Sequence, residues 1–365
     1  MNQFPIARPR PMTGRARAQF TLFAMAAFVL LVNLPGPAVA QQLPQRFFVL
    51  TMDEANSKKT FAAMDALAVI ERDGTSWTQF PQEIQRAGRL SPDTTKYAWV
   101  QAGSEEKPTS MLQIVDFRKN APPIKVPFGG VLGHCYWSRD GRELVVSTVS
   151  TLNGDRNYQT WRASADGSKT VKMPIPTTEF VHDWSRDGRW FVTTSVRDAA
   201  GEQRISQNLQ DVRIIHPDGT GDRVFRVGPG ALNKRRNAGP IATKTAPVFS
   251  PDSRSLVWAE FGVASSGRQP ADVNLIPPRI MVQRLTEDTP KEVTRAGGDQ
   301  MRFASMCWSP DSRSLVLHLQ NNSARRATDS QFEVYDLSGK LIRSVSANGV
   351  PNANSRRITY MVDCR

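Results

Sequence analysis

The stretch "CYWSRDGRELVVST" at residues 135–148 recurs along the chain in altered form. "DWSRDGRWFVTTS" begins at Asp183, "FSPDSRSLVWAE" at Phe249, "CWSPDSRSLVLHL" at Cys307, and a more divergent "LSPDTTKYAWV" at Leu90. The aligned serines, Ser91, Ser138, Ser185, Ser250 and Ser309, are spaced by 47, 47, 65 and 59 residues. Self-similarity at such a period marks one supersecondary unit used repeatedly, so the repeat decides the fold.

Each copy carries Ser, then Pro or Arg, then Asp, then Gly, Ser or Thr, which is type I turn chemistry. The segments that follow, such as "LVVST", "WFVTTS", "LVWAE" and "LVLHL", are rich in β-branched and aromatic residues and read as strands. Later in each unit comes a second strand–turn–strand signal: "LQIVDFRKNAPPIKV", "YQTWRASADGSKTVKM", "DVRIIHPDGTGDRVF", "RIMVQRLTEDTPKEV" and "FEVYDLSGKLIRSV". Each unit is therefore a four-stranded antiparallel meander, A to D, with the tetrad joining A to B.

Five such units leave the two ends over. After residue 45, "RFFVLT" and "ALAVIERDGTSWTQF" supply strands B to D with no A before them, while "RITYMVDC" is a lone strand near residue 360. Joined, they make a sixth unit. The predicted fold is all-β: a six-bladed β-propeller of four-stranded antiparallel blades, its ring closed by pairing the N- and C-terminal segments, which removes free sheet edges.

The Trp-Ser-Pro/Arg-Asp-Gly/Ser tetrads followed by an apolar strand resemble the repeats of TolB-like, WD-repeat-like bacterial β-propellers, related to the propeller of the dipeptidyl peptidase family. The resemblance runs over residues 45 to 365. It implies a fold more than a function. Neither an N-terminal α/β domain of the TolB kind nor a hydrolase domain is expected, so Tol-system and peptidase activities are not carried over.

Residues 1–40 read as a cleavable secretory signal: Arg8, Arg10, Arg15 and Arg17 precede an apolar run from Phe20 to Val32, followed by Pro35 and Ala38-Val39-Ala40. That run falls short of the roughly 20 residues that span a bilayer. Residues 41–365 would then form one propeller domain, periplasmic or secreted, with no integral membrane span. Without the four leader arginines the formal charge falls from +13 to +9. Outside the cytosol that balance points to an acidic protein or an anionic envelope polymer, and not to nucleic acid.

Meander geometry puts the A–B and C–D turns at one end and the longer B–C and D–A connections at the other. The long connections collect positive charge, with Lys234, Arg235, Arg236 and Lys244 in one, Arg325 and Arg326 in another and Arg204 in a third. These are the candidate binding residues, arginine being able to grip carboxylate or phosphate bidentately. The expected function is that of a non-catalytic binding or scaffold module for an acidic partner in the cell envelope.

G-x-S-x-G, H-E-x-x-H, P-loop and EF-hand patterns are absent from the sequence. The alternative is a metal-dependent lyase or hydrolase acting on an acidic glycan, with a divalent metal held by His134, His182 and Asp183 at the loop end of two neighbouring A strands. Pectate-type lyases on similar propellers use channel histidines. Two histidines hydrogen-bonded in blade packing is the simpler expectation, and no cofactor is expected with it.

Trp137, Trp184 and Trp308 share one repeat position and are expected in the inter-blade core. Cys135, Cys307 and Cys364 are too few for a disulfide framework. Strands A of the fifth and sixth units could bring Cys307 and Cys364 together as a clasp; buried, reduced thiols are the expected state.

Overall fold

The computed structural model describes residues 46–53, 65–71, 77–84, 88–103, 109–119, 121–130, 132–152, 155–195, 212–226, 241–262, 277–298, 301–321, 330–346 and 356–364. Their regular structure is entirely β. The chain begins with β1 (Arg46–Asp53), β2 (Asp65–Glu71) and β3 (Trp77–Ile84). Next come β4 (Arg89–Leu90), β5 (Lys96–Gln101), β6 (Thr109–Asp116) and β7 (Ile124–Gly129), then β8 (Leu132–Trp137), β9 (Glu143–Leu152), β10 (Asp155–Ser164) and β11 (Thr170–Lys172). The third set is β12 (Glu179–Trp184), β13 (Phe191–Ser195), β14 (Val212–Ile215) and β15 (Arg223–Arg226). It is followed by β16 (Ile241–Lys244), β17 (Val248–Phe249), β18 (Ser255–Gly262), β19 (Arg279–Arg284) and β20 (Lys291–Arg295). The last are β21 (Met301–Trp308), β22 (Ser314–Asn321), β23 (Ser330–Asp336), β24 (Leu341–Ser346) and β25 (Arg356–Cys364). No helix among the described residues is long and apolar enough to cross a membrane.

These strands form five four-stranded sheets and one of five strands. β25 pairs antiparallel with β1, Phe47 lying opposite Cys364 and Asp53 opposite Arg356, so the two leftover ends share a sheet with β2 and β3. The five-stranded sheet departs from the expected four because its inner strand is broken. β16 and β17 both pair with β18. Between them Pro247 offers no N–H to the ladder, and the Thr245 hydroxyl accepts from the Ala259 N–H at 2.9 Å. Lys244, expected in a connection, is instead the last residue of β16, opposite Glu260.

All five tetrads fold alike. Ser138 Oγ donates to the Asp140 carboxylate at 2.7 Å and accepts from the Glu143 N–H at 3.0 Å, and Asp140 also accepts from the Arg142 N–H. The same bonds recur about Ser91, Ser185, Ser250 and Ser309. The fourth residue donates back to the carbonyl of the first. It is left-handed in every copy, with φ of 68° at Gly141 and 74° at Gly188, and with Thr94, Ser253 and Ser312 at 61° to 63°. Glycine takes that conformation freely; the other three are strained, at roughly 1 kcal/mol each.

The cores lie between consecutive sheets. On β9, Leu144 and Val146 pack with Ala98, Val100, Leu112 and Ile114 of the preceding sheet. Val145, pointing the other way, packs with Val181, Phe191 and Ile215 of the next. A strand buried on both faces explains why the repeat's apolar segments are continuous runs and do not alternate. At the inner edges β25 touches β4 and β21, β4 touches β8, β8 touches β12, and β12 touches β17.

One expectation is overturned here. Cys307 and Cys364 are bonded, with S–S 1.98 Å and Cα atoms 6.2 Å apart, because β21 and β25 run side by side. Cys135 stays a buried thiol, its pKa pushed by burial up to about 12.

Candidate functional site

The aligned repeat has two positions before its serine that behave differently. Directly before it stand Leu90, Trp137, Trp184, Phe249 and Trp308, of which Trp137 is 9% and Trp308 4% exposed. The indoles fasten neighbouring sheets: Trp137 Nε1–H donates to the Arg89 carbonyl at 2.9 Å and Trp308 Nε1–H to the Val248 carbonyl at 3.3 Å. One residue earlier the copies read Arg89, Tyr136, Asp183, Val248 and Cys307. All five line one cavity of about 540 Å³ at the tetrad end of the inner strands. Arg139, Arg186, Asp187, Asp252 and Ser253 complete its mouth.

Three of the lining side chains are guanidinium groups. Arg89 lies over the Tyr136 ring, 5.4 Å from its centroid. Arg139 and Arg186 are exposed. Asp183 is half-buried because it borders the cavity, yet its carboxylate is closely walled. Desolvation pushes its pKa up to about 6, against the downward pull of the Phe249 and Trp184 N–H groups and the charges of Arg89 and Arg186. The Phe249 N–H donates to Asp183 Oδ2 at 2.8 Å, so this carboxylate caps the broken inner strand of the next sheet. Asp187 and Asp252 are engaged within their own turns.

The three residues weighed as a metal site are not brought together. His134 and His182 pack edge-on against Phe180, with ring centroids 5.4 and 5.0 Å away, and His182 Nε2 lies 2.7 Å from Thr194 Oγ1. His134 keeps contact with solvent, but the crowded wall around it and the Arg89 charge hold its pKa down at about 4. Asp183, expected at the loop end, instead turns to Phe249 at the tetrad end. Among the described residues no group of three His, Cys, Asp or Glu side chains could share a metal ion. His318 is buried, stacked on Phe332, and burial lowers its pKa to about 3.

Of the basic residues expected to bind, Lys234, Arg235, Arg236, Arg204, Arg325 and Arg326 lie outside the described residues. Sequence reasoning passed over Arg89, Arg139 and Arg186. Arg139 and Arg186 had a signal: they replace the proline that the other three tetrads carry at the second position, in two consecutive copies.

No family model matches the chain, and no curated protein does. Among solved structures it is similar to TolB from Acinetobacter baumannii, at 13% identity and TM-score 0.54, over 91% of this chain and 74% of that one. It is also similar to an oligogalacturonate lyase in complex with manganese, at 13% identity and TM-score 0.47, over 80% of this chain and 74% of the other. A prolyl endopeptidase matches at 14% identity and TM-score 0.46, over 92% of this chain but 46% of its own length. At such identities likeness speaks for architecture alone, and the TolB match agrees with the repeat and the sheets already described in giving this chain a β-propeller fold.

Proposed function

We propose that this chain is an exported six-bladed propeller, closed where β25 pairs with β1, that binds without catalysing and holds an acidic protein or anionic polymer of the cell envelope. The observation that carries the binding reading is the convergence of Arg89, Arg139 and Arg186 on one cavity, in a chain whose formal charge is still +9 without the four leader arginines. Guanidinium groups on a rigid wall suit carboxylate or phosphate. The basic residues of the long connections, Lys234 to Arg236 among them, are further proposed contacts. Contacts between successive inner strands support a closed ring. The leader-like first forty residues support export, as does the Cys307–Cys364 bond, since disulfides persist in oxidising compartments.

The test is titration of the purified protein with polyglutamate and with polylysine at rising salt. Saturable polyglutamate binding that weakens steeply with salt, and none of polylysine, is the expected result. Absence of saturable binding to any polyanion overturns the reading.

A further inference from the structure

The second position of the tetrad is where this chain breaks its own rule. Proline is favoured there because its fixed φ suits the turn, and Pro92, Pro251 and Pro310 follow that preference. The second and third tetrads forgo it for Arg139 and Arg186, and both arginines line the cavity.

The junction between those two tetrads also lacks both kinds of polar link, hydroxyl and indole, that occur at the junctions of the other described tetrads. At two later junctions the fourth residue links to the tetrad before it: Ser253 Oγ accepts from the Asp187 N–H at 3.0 Å, and Ser312 Oγ from the Asp252 N–H at 2.9 Å. Gly141 has no hydroxyl, but its junction carries the bond from the Trp137 indole to the Arg89 carbonyl. At Gly188 there is no hydroxyl, and a Cβ placed there would meet nothing within 4 Å. The Trp184 indole N–H, whose counterparts in Trp137 and Trp308 bond across their junctions, is buried with no hydrogen-bond partner among the described residues. Two long cations thus flank a space that polar links close at the other junctions.

We propose that Arg139 and Arg186, with Arg89 behind them, clamp carboxylates of an acidic peptide that enters the central cavity. This rests on the binding reading above and narrows it to a site and a ligand class. Planar guanidinium forks take carboxylates bidentately. Among the lining aromatics Tyr136, Trp137, Phe249 and Trp308 are 4%, 9%, 5% and 4% exposed, and the half-buried Trp184 packs against Phe191, so the lining offers no open stack of faces for a sugar ring. That favours an acidic peptide over an acidic glycan. The carboxylates at the mouth, Asp187 and Asp252, are held inside their own turns and do not close over the cavity.

The test uses the full chain, with hexaglutamate as probe, hexaglutamine as neutral control and tryptophan fluorescence as readout. The variant is Arg139→Pro with Arg186→Pro, which installs the residue three other tetrads already hold and so keeps the fold. Hexaglutamate affinity at least tenfold weaker in the variant, with an unchanged or higher melting temperature and no hexaglutamine binding by either protein, is the expected result. Equal hexaglutamate binding by variant and parent overturns the clamp; if both still bind polyglutamate, the general binding reading survives it. Oligogalacturonate binding that the variant loses, without any hexaglutamate binding by the parent, overturns the peptide as ligand.

Discussion

Ser253 and Asp187 belong to different repeats, 66 residues apart, and are joined by one bond: the Asp187 N–H donates to Ser253 Oγ at 3.0 Å. Ser253 holds a left-handed backbone, φ 63°, that a serine adopts only under strain. Its hydroxyl is the compensation. Ser253→Ala keeps the strain and loses the bond, so it should lower stability by about 1–2 kcal/mol. Ser253→Gly loses the bond but relieves the strain, leaving stability within about 0.5 kcal/mol of the parent. Urea unfolding of the three proteins checks the order; an alanine variant as stable as the glycine variant would show that the hydroxyl contributes nothing.

Arg139→Pro and Arg186→Pro should each raise stability by about 0.4–1 kcal/mol, because proline restricts the unfolded chain at a position whose turn geometry already suits it. The expected pairing of higher melting temperature with weaker polyanion binding separates stability from function. Thermal unfolding and peptide titration on the same samples read both quantities.

Asp183 and His318 give the chain opposing responses to acid. The Asp183 value of about 6 lies above the ordinary 3.8, so its contribution is full below 3.8 and is lost as pH rises through 6. The His318 value of about 3 lies below the ordinary 6.5, so its contribution is full above 6.5 and is lost as pH falls toward 3. Asp183→Asn, which keeps an acceptor for the Phe249 N–H, should gain about 1–2 kcal/mol at pH 8 and nothing near pH 4. His318→Gln should flatten the acid limb. Unfolding free energies measured from pH 4 to 8 test both signs, and hexaglutamate binding should tighten as Asp183 takes up its proton.

Breaking the clasp should cost more than any of these. Cys307→Ser with Cys364→Ser removes a link between residues 57 apart in sequence and is expected to cost about 2–4 kcal/mol. A reducing agent should lower the melting temperature of the parent and leave the double serine variant unmoved.

The repeat made the sheets legible because turn chemistry and strand propensity agree in all five copies. The break in the inner strand between β16 and β17 was also written in the sequence, in Thr245-Ala246-Pro247, but its meaning depends on which neighbour takes over the ladder bond. The disulfide was not legible: proximity of β21 and β25 is a property of the assembled sheets, and sequence spacing does not report it. Arginines in long connections drew attention because charge there stands out against apolar strands. Arg139 and Arg186 did not, since an arginine in a polar turn looks like solvated surface until the turn is found at the edge of a cavity.

The wall of that cavity takes one side chain from the same position of each repeat, at Arg89, Tyr136, Asp183, Val248 and Cys307, while the indoles beside Tyr136 and Cys307 fasten neighbouring sheets. This separation makes the architecture easy to recode. Five codons could be randomised to change what the cavity prefers without touching the aromatic fasteners, and repeat duplication followed by drift at the same position offers natural lineages the same freedom. Two of the five are less free than the rest: Cys307 is tied to Cys364, and Asp183 carries the Phe249 N–H. A library that fixes those two and varies Arg89, Tyr136 and Val248 would explore new recognition on an unchanged frame.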